Sequence, residues 1–319
     1  MKFKKLGSVA ALIVSAVVLT SCGTDNKAKF IKDNAELAKS STQKFDLKTD
    51  DLKVSATGDA KAYMPIINGY LADFKLSGKV VTDDKKSQTN MDVSVAGQSI
   101  PMEFLTQGEN AYLRLDTLRP LVELYAQYSG AGEYFRDIDM TFIKGKYLDI
   151  NAISEESKGS SVSVEDYNKA MAKALDSVDK SDFSQKGSAV TLNLSGAKIG
   201  KLLKVYLASV GSLIKDMIKS LEETAGDDDL EKRVPRIIKS ITIITDSKKK
   251  TSDIVINFTG KESDNIALDG KLSYQVKYSN EKDTVKMPTQ SNLIKSTDEF
   301  GRLLSESIQF DYSDYGNVE

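Results

Sequence analysis

The stretch Ser77–Gly97, SGKVVTDDKKSQTNMDVSVAG, reads as two strands folded about a charged turn. Phe74, Leu76, Gly78 and Val80 alternate with Lys75, Ser77 and Lys79; beyond Asp83-Asp84, Met91, Val93 and Val95 alternate with Asp92 and Ser94. A period of two sends one set of side chains to a buried face and the other to water. The pattern continues through Ile100, Met102 and Phe104, then Ala111, Leu113 and Leu115, with Gly97-Gln98 and Gly108-Glu109-Asn110 as breaks. Alternating strands so closely spaced over about 46–115 predict an antiparallel meander and argue against βαβ units.

Downstream, SITIITDSKKKTSDIVINFTG (Ser240–Gly260) can be laid on the first stretch without a gap, at an offset of 163 residues. Six of the 21 positions are identical: the leading Ser, Thr-Asp, Lys-Lys and the final Gly. Two readings stand. Either the fold is built of two related sheet-plus-helix halves, or two unrelated hairpins share turn chemistry. Leu272, Tyr274, Val276 and Tyr278 predict a last strand.

Helical periodicity appears in other segments. Residues 28 to about 44 carry Phe30, Ile31, Ala35, Leu37 and Ala38 among lysines and polar groups. Leu118–Tyr128 has Pro120 near a helix start, and Ser163 with Asp166 approximates a capping box ahead of Val164, Tyr167, Met171, Ala174 and Val178. Between them FIKGKYLDI (Phe142–Ile150) reads as a strand pair. After Ser195, the residues Ile199, Leu203, Tyr206, Val210, Leu213, Met217 and Leu221 step along one helical face, and Gly226 ends the run. That face has three readings: packed on the sheet as core, lining an apolar cavity, or resting on a membrane surface.

The N-terminus determines where such a domain is expected to work. Lys2, Lys4 and Lys5 precede an uncharged, mostly apolar run from Leu6 to Leu19, then Thr20-Ser21 and the sole cysteine, Cys22. This is the grammar of an export signal, and the run falls short of the about 20 apolar residues a bilayer span needs. Leu19-Thr20-Ser21-Cys22 resembles the lipobox of bacterial lipoproteins, which implies that Cys22 is acylated and becomes the first mature residue. Expected boundaries are a signal peptide at 1–21, the lipidated cysteine and a short linker at 22–27, one α+β half-barrel domain at 28–310, and a flexible acidic tail at 311–319. With no second cysteine, no internal disulfide forms.

Several function classes are excluded or unsupported. Loss of three signal lysines and no acid moves the net charge from −2 to −5, which offers no concentrated basic surface for nucleic acid. The chain has no histidine, removing Ser-His-Asp and Cys-His arrangements and the commonest zinc ligand. GAKIGKL (Gly196–Leu202) imitates a phosphate loop, but three residues separate its glycines where four are required, and Leu202 replaces the magnesium-binding Ser or Thr. Neither Asp137-Ile138-Asp139 nor Asp227-Asp228-Asp229 continues as a calcium loop: Phe142 and Lys232 occupy the turn-glycine positions. No catalytic residue, metal or cofactor is assigned, and no enzyme activity is expected.

The lipobox, leading helix, alternating hairpins, GKY-L-I strand, amphipathic helix and returning hairpins together resemble the LolA-like and LppX-like lipoprotein carriers over residues 28 to about 290. That resemblance implies a curved antiparallel half-barrel with helices packed on its concave side, and a hollow able to hold acyl chains. The expected protein is a membrane-anchored, extracytoplasmic, non-catalytic lipoprotein that binds or carries a lipid or other hydrophobic molecule. Its partners would be the membrane, through the acyl anchor at Cys22, and that ligand; protein partners are unassigned. Candidate cavity residues are Phe74, Leu76, Val93, Ile256 and Phe258 on strands, with Ile199, Leu203, Tyr206, Val210, Leu213 and Met217 on the helix. The alternative is a cell-surface lipoprotein with a filled core that binds a protein or wall polymer through exposed side chains such as Tyr125, Tyr128 and Tyr134.

Overall fold

The computed structural model describes residues 25–95, 97–108, 110–120, 140–151, 164–210, 230–260, 262–263 and 266–307. The chain divides into two compact units: residues 1–75 with 159–281, and residues 76–158 with 282–319. Both combine helices with a largely antiparallel sheet, an α+β architecture.

The strands begin with β1 (Thr42–Ala56), β2 (Lys75–Asp83), β3 (Lys86–Val95), β4 (Gln98–Gln107) and β5 (Asn110–Arg114). Next come β6 (Tyr147–Asp149), β7 (Phe183–Lys186), β8 (Ala189–Ser195), β9 (Ile238–Asp246) and β10 (Thr251–Phe258). The last are β11 (Glu262–Ser263), β12 (Ile266–Ser279) and β13 (Leu293–Ile294). The α-helices are α1 (Asn26–Leu37), α2 (Met64–Asp73), α3 (Val164–Asp176), α4 (Gly196–Val210), α5 (Leu230–Ile237) and α6 (Thr297–Ser307).

In the first unit the ladder runs β1-β12-β10-β9-β8-β7, with β11 paired to β12. All its described pairings are antiparallel. Between Asp50 and Lys53 the β1–β12 register shifts at a bulge. Gly270 lies there at φ +107°, and a Cβ on it would sit 2.4 Å from the Asp51 carbonyl oxygen, so only glycine fits.

Helix α1 is shorter than its expected span to residue 44. It starts on an Asp25 cap, whose carboxylate accepts from the Lys27 N–H at 2.8 Å, and closes at Leu37. Beyond it the polar Ser40-Ser41-Thr42 run gives way to period-two alternation of Phe45 and Leu47 with lysine and aspartate, so β1 takes over. Helix α2 and a 3₁₀ turn over Gly58–Tyr63 interrupt the stretch read as continuous strands. Pro65, its φ already set for a first helical turn, lies at the start of α2. Phe74 is consequently the residue that caps α2 rather than a strand residue.

In the second unit the order is β13-β6-β5-β4-β3-β2, with β13 parallel to β6. The segment expected as a strand pair at 142–150 holds one strand, β6, preceded by a 3₁₀ turn over Met140–Ile143. Gly145, at φ +68°, stops that turn, and the partners of β6 come from β5 and β13 instead. Two small cores form here: Val81, Leu105 and Val285 with Tyr112 and Met287, and Leu115, Ile143 and Ile294 with Leu148 and Phe300.

The offset of 163 residues carries β2 onto β9 end to end and brings the last residue of β3 onto the last residue of β10. The turns differ: Asp84-Lys85 in the first hairpin and Ser247–Lys250 in the second, each with one left-handed residue, Asp84 or Lys250. Cys22, Leu213, Met217, the Leu118–Tyr128 helix beyond Pro120, Tyr125, Tyr128 and Tyr134, the cap residue Ser163 and the tail 311–319 lie outside the described residues.

Candidate functional site: the apolar sheet face of the first unit

Cross-strand registers place Leu192, Ile243, Ile254, Tyr274 and Leu47 in one row across five strands. The parallel row is Leu194, Ile241, Ile256, Leu272 and Thr49. Side chains of one row share a sheet face, so these strands present one apolar surface from β8 to β1. Lys44, Asp46, Lys48, Gln275 and Lys277 alternate onto the opposite face and are exposed.

Helices close one end of this surface. Val190, Leu192 and Leu194 are 0%, 1% and 5% exposed beneath Phe30 of α1, Leu175 of α3, Ile199, Leu202 and Leu203 of α4 and Val234 of α5. Phe30 and Phe183 meet with ring centroids 5.4 Å apart. Gly196 opens α4 where a Cβ would stand 2.1 Å from the Ile238 carbonyl oxygen and 2.8 Å from Pro235 Cα; that close approach presses α4 against α5. Lys198, between the two glycines of the GAKIGKL stretch, donates to Asp182 at 2.5 and 2.8 Å and to Asp179 at 3.4 Å. Those carboxylates hold its ammonium group in the charged form above the usual lysine range.

Towards β12 and β1 the cover thins. Leu37, Val276 and Tyr278 are buried against Phe45 and Tyr274, and Phe45 and Tyr274 have centroids 6.2 Å apart. Beyond them Leu47, Ile256, Phe258, Leu268 and Leu272 are only partly covered. Helix α2 attaches here through polar bonds: Thr49 Oγ1 donates to the Leu71 carbonyl at 2.6 Å. The Asn68 amide takes the Val54 N–H at 2.7 Å and gives to the Val54 carbonyl at 2.8 Å. None of the α2 side chains is buried, and Ile66 is 58% exposed.

The structure sorts the expected cavity residues into groups. Ile199 is buried and Leu203 half-buried in the helix-covered core, so the part of the α4 face they mark is core. Tyr206 is half-buried further along α4, and Val210 ends the helix. Ile256 and Phe258 lie on β10 of the same unit, Ile256 directly opposite Ile241 and Leu272. Phe74 also belongs to this unit, at the α2 cap. Leu76 and Val93 belong to the second unit, where Val93 pairs with Ile100.

Sequence reasoning did not include Phe45, Tyr274, Val276 or Tyr278 among site residues, although alternation marked the strand that holds the last three. Burial pushes the Tyr274 phenol up to about 12. Tyr278 is pushed higher still, by burial first and then by the neighbouring Tyr274.

The second unit's main polar cluster is self-satisfied. Arg114 binds Asp116 through two bonds of 2.7 and 2.9 Å and reaches Glu103 at 3.4 Å, while Tyr147 donates to Glu103 at 2.7 Å. Tyr147 is pushed up to about 12, by burial and then by that bond. Every strong donor in this group meets a protein acceptor, which suits a structural pin between β4, β5 and β6. Among the described residues no group of three or more acidic or thiol side chains is placed to hold a metal ion, and no helix is long and apolar enough to cross a membrane. Comparison with known proteins found no matching family model and no matching curated protein.

Proposed function

We propose that this protein is a lipid-anchored extracytoplasmic lipoprotein that binds or carries a hydrophobic ligand, an acyl lipid, without catalysing a reaction. One observation carries the reading. The apolar face of the first unit's sheet is buried under helices along β8, yet, buried Ile254 apart, it is only partly covered from Ile241 and Ile243 of β9 out to Ile256, Phe258, Leu272, Leu268 and Leu47. An ordinary core strip would be covered along its whole length; a strip of large aliphatic side chains left half-open is a surface on which apolar ligand atoms can replace water. Each methylene buried there contributes about 0.8 kcal/mol, so ten methylenes reach about 8 kcal/mol before ordering costs, enough for binding without any catalytic group.

The sheet in this reading curves as a half-barrel with its helices inside the curve, as in the LolA-like and LppX-like carriers. In support, α1, α3, α4 and α5 all pack on one sheet face, and the bulge at Asp50–Lys53 is a bending device. Acylated Cys22 supplies the membrane anchor. Two or three acyl chains hold a protein on a bilayer almost permanently, which leaves the domain facing the ligand's source.

The test is native mass spectrometry, with lipid extraction, of the chain from Gly23 to Glu319 purified from bacterial cells. A stoichiometric co-purifying lipid supports the carrier and names its class. A bare protein mass that stays bare when lipids are offered refutes it and turns attention to surface partners such as a protein or wall polymer.

A further inference from the structure

Tyr274 and Tyr278 lie four residues apart on β12, on the same apolar face, with Val276 between them and Phe45 and Leu37 against them. Tyr278 is 8% exposed. A tyrosine can bury its ring in an apolar wall while its hydroxyl stays available to a hydrogen-bond partner at the edge. Within the described residues these two contribute ring and backbone contacts only: Tyr274 meets the Phe45 ring, and the Tyr278 N–H donates to the Lys250 carbonyl at 2.9 Å. Neither hydroxyl bonds to a described protein group, and no charged side chain is among the neighbours that shift either phenol. Neither hydroxyl is sealed from solvent, so two donors without a protein partner stand at the accessible edge of an apolar wall, beside the half-open strip of Leu47, Leu272 and Ile256.

We propose that Tyr274 and Tyr278 form the polar end of the ligand site, where their hydroxyls donate to the carbonyl group of an acyl lipid whose hydrocarbon lies along β10, β12 and β1. The inference rests on the apolar-ligand reading and deepens it. A neutral carbonyl suits the site because a carboxylate would enter apolar surroundings with no cation to pair it. Ester carbonyls of glycerolipids and the undissociated carboxyl of a free fatty acid share this chemistry. Tyrosine also fits the physical need, since its ring continues the apolar wall while its tip supplies the donor.

The experiment uses the chain from Gly23, which retains every described residue, as wild type, Tyr274→Phe, Tyr278→Phe and the double variant. Diphenylhexatriene, a hydrocarbon with no polar atom, reports occupancy by fluorescence, and dioleoylglycerol or oleic acid displaces it. Diphenylhexatriene affinity is expected to stay within about twofold in every variant. Dioleoylglycerol or oleic acid affinity should fall about fivefold per hydroxyl removed, the usual worth of one neutral hydrogen bond. Loss confined to dioleoylglycerol assigns an ester; loss confined to oleic acid at low pH assigns a free acid. Unchanged displacement by both across all variants overturns the phenol assignment while leaving hydrocarbon binding intact. Failure of the wild type to take up diphenylhexatriene overturns the underlying reading instead. Should a variant not fold, wild type carrying tyrosine labelled with ¹³C at the ring carbon bearing oxygen answers the same question. Dioleoylglycerol or oleic acid must move two phenol resonances, and two unmoved resonances in a protein shown to bind either lipid refute the proposal.

Discussion

Alanine at Leu192 and alanine at Ile256 remove comparable apolar volume from one sheet face, and the structure assigns them different costs. Leu192 is 1% exposed, with α1, α3, α4 and α5 packed over its neighbourhood. Truncation there loses transfer energy and leaves a sealed void, so about 3 kcal/mol is expected, within the usual range for buried leucine. Ile256 sits on the adjoining row between Ile241 and Leu272, partly open. Water or a ligand can fill the space left by its truncation, and only the covered part of its transfer energy is lost, about 1 kcal/mol. Urea denaturation followed by far-UV circular dichroism measures both, provided the slope stays constant among variants. With dioleoylglycerol added at about 100 times its Kd, the wild type should gain about 2.7 kcal/mol, and Ile256→Ala distinctly less. Equal costs for the two substitutions in the ligand-free protein would show a closed core at Ile256 and sink the open-strip argument.

Three further outcomes follow from local geometry. Gly270→Ala places a methyl against the Asp51 carbonyl at a left-handed position and should cost about 3 kcal/mol or more, read as a fall in the urea midpoint; an unchanged midpoint refutes the bulge constraint. Asp246 is desolvated, which alone would raise its pKa. It nevertheless lies below the ordinary carboxylate value because it accepts from Lys249 and Lys248 N–H groups at 3.0 and 3.1 Å and from Ser188 at 2.9 Å. A depressed folded pKa contributes stability that is present above about pH 4 and disappears as pH falls through the folded value. Asp246→Asn should therefore flatten the acid limb of a stability–pH curve, and an unaltered limb contradicts the assignment. Tyr274 and Tyr278 have raised values, so folded protein holds their protons when the unfolded chain has lost them. Stability should fall as pH climbs above about 10, and ultraviolet titration should show these two phenols ionising late together with Tyr147, the late fraction shrinking in Tyr274→Phe and Tyr278→Phe; full ionisation of the folded protein by pH 11 refutes their burial.

Local pattern alone determined much of this protein. Alternation around Ser77–Gly97 and Ser240–Gly260 identified both hairpins to within a residue or two, because a period of two survives in any sheet with one wet face. Helix α4 was equally legible from its three-and-four spacing. Where propensity was balanced by long-range pairing, pattern misled: residues 38–41 turn out of the helix and 42–44 enter β1, which lies against β12 more than 200 residues away. Likewise the chain near Lys144 turned instead of forming a second strand, since β6 takes its partners from β5 and β13.

The site belongs to tertiary structure. Ile199, Leu203, Ile256 and Phe258 all announce an apolar face, and nothing in their local spacing separates Ile199, buried on α4, from Ile256, half-open on the sheet. Burial depends on what other elements bring to a surface, and here α1, α3, α4 and α5 arrive from distant segments to cover β8 and part of β9 while α2 only tethers to β1. The unspent hydroxyls of Tyr274 and Tyr278 were invisible for the same reason. A donor's partner is set by the fold around it, whereas the alternation that placed both rings inward is set by the chain alone.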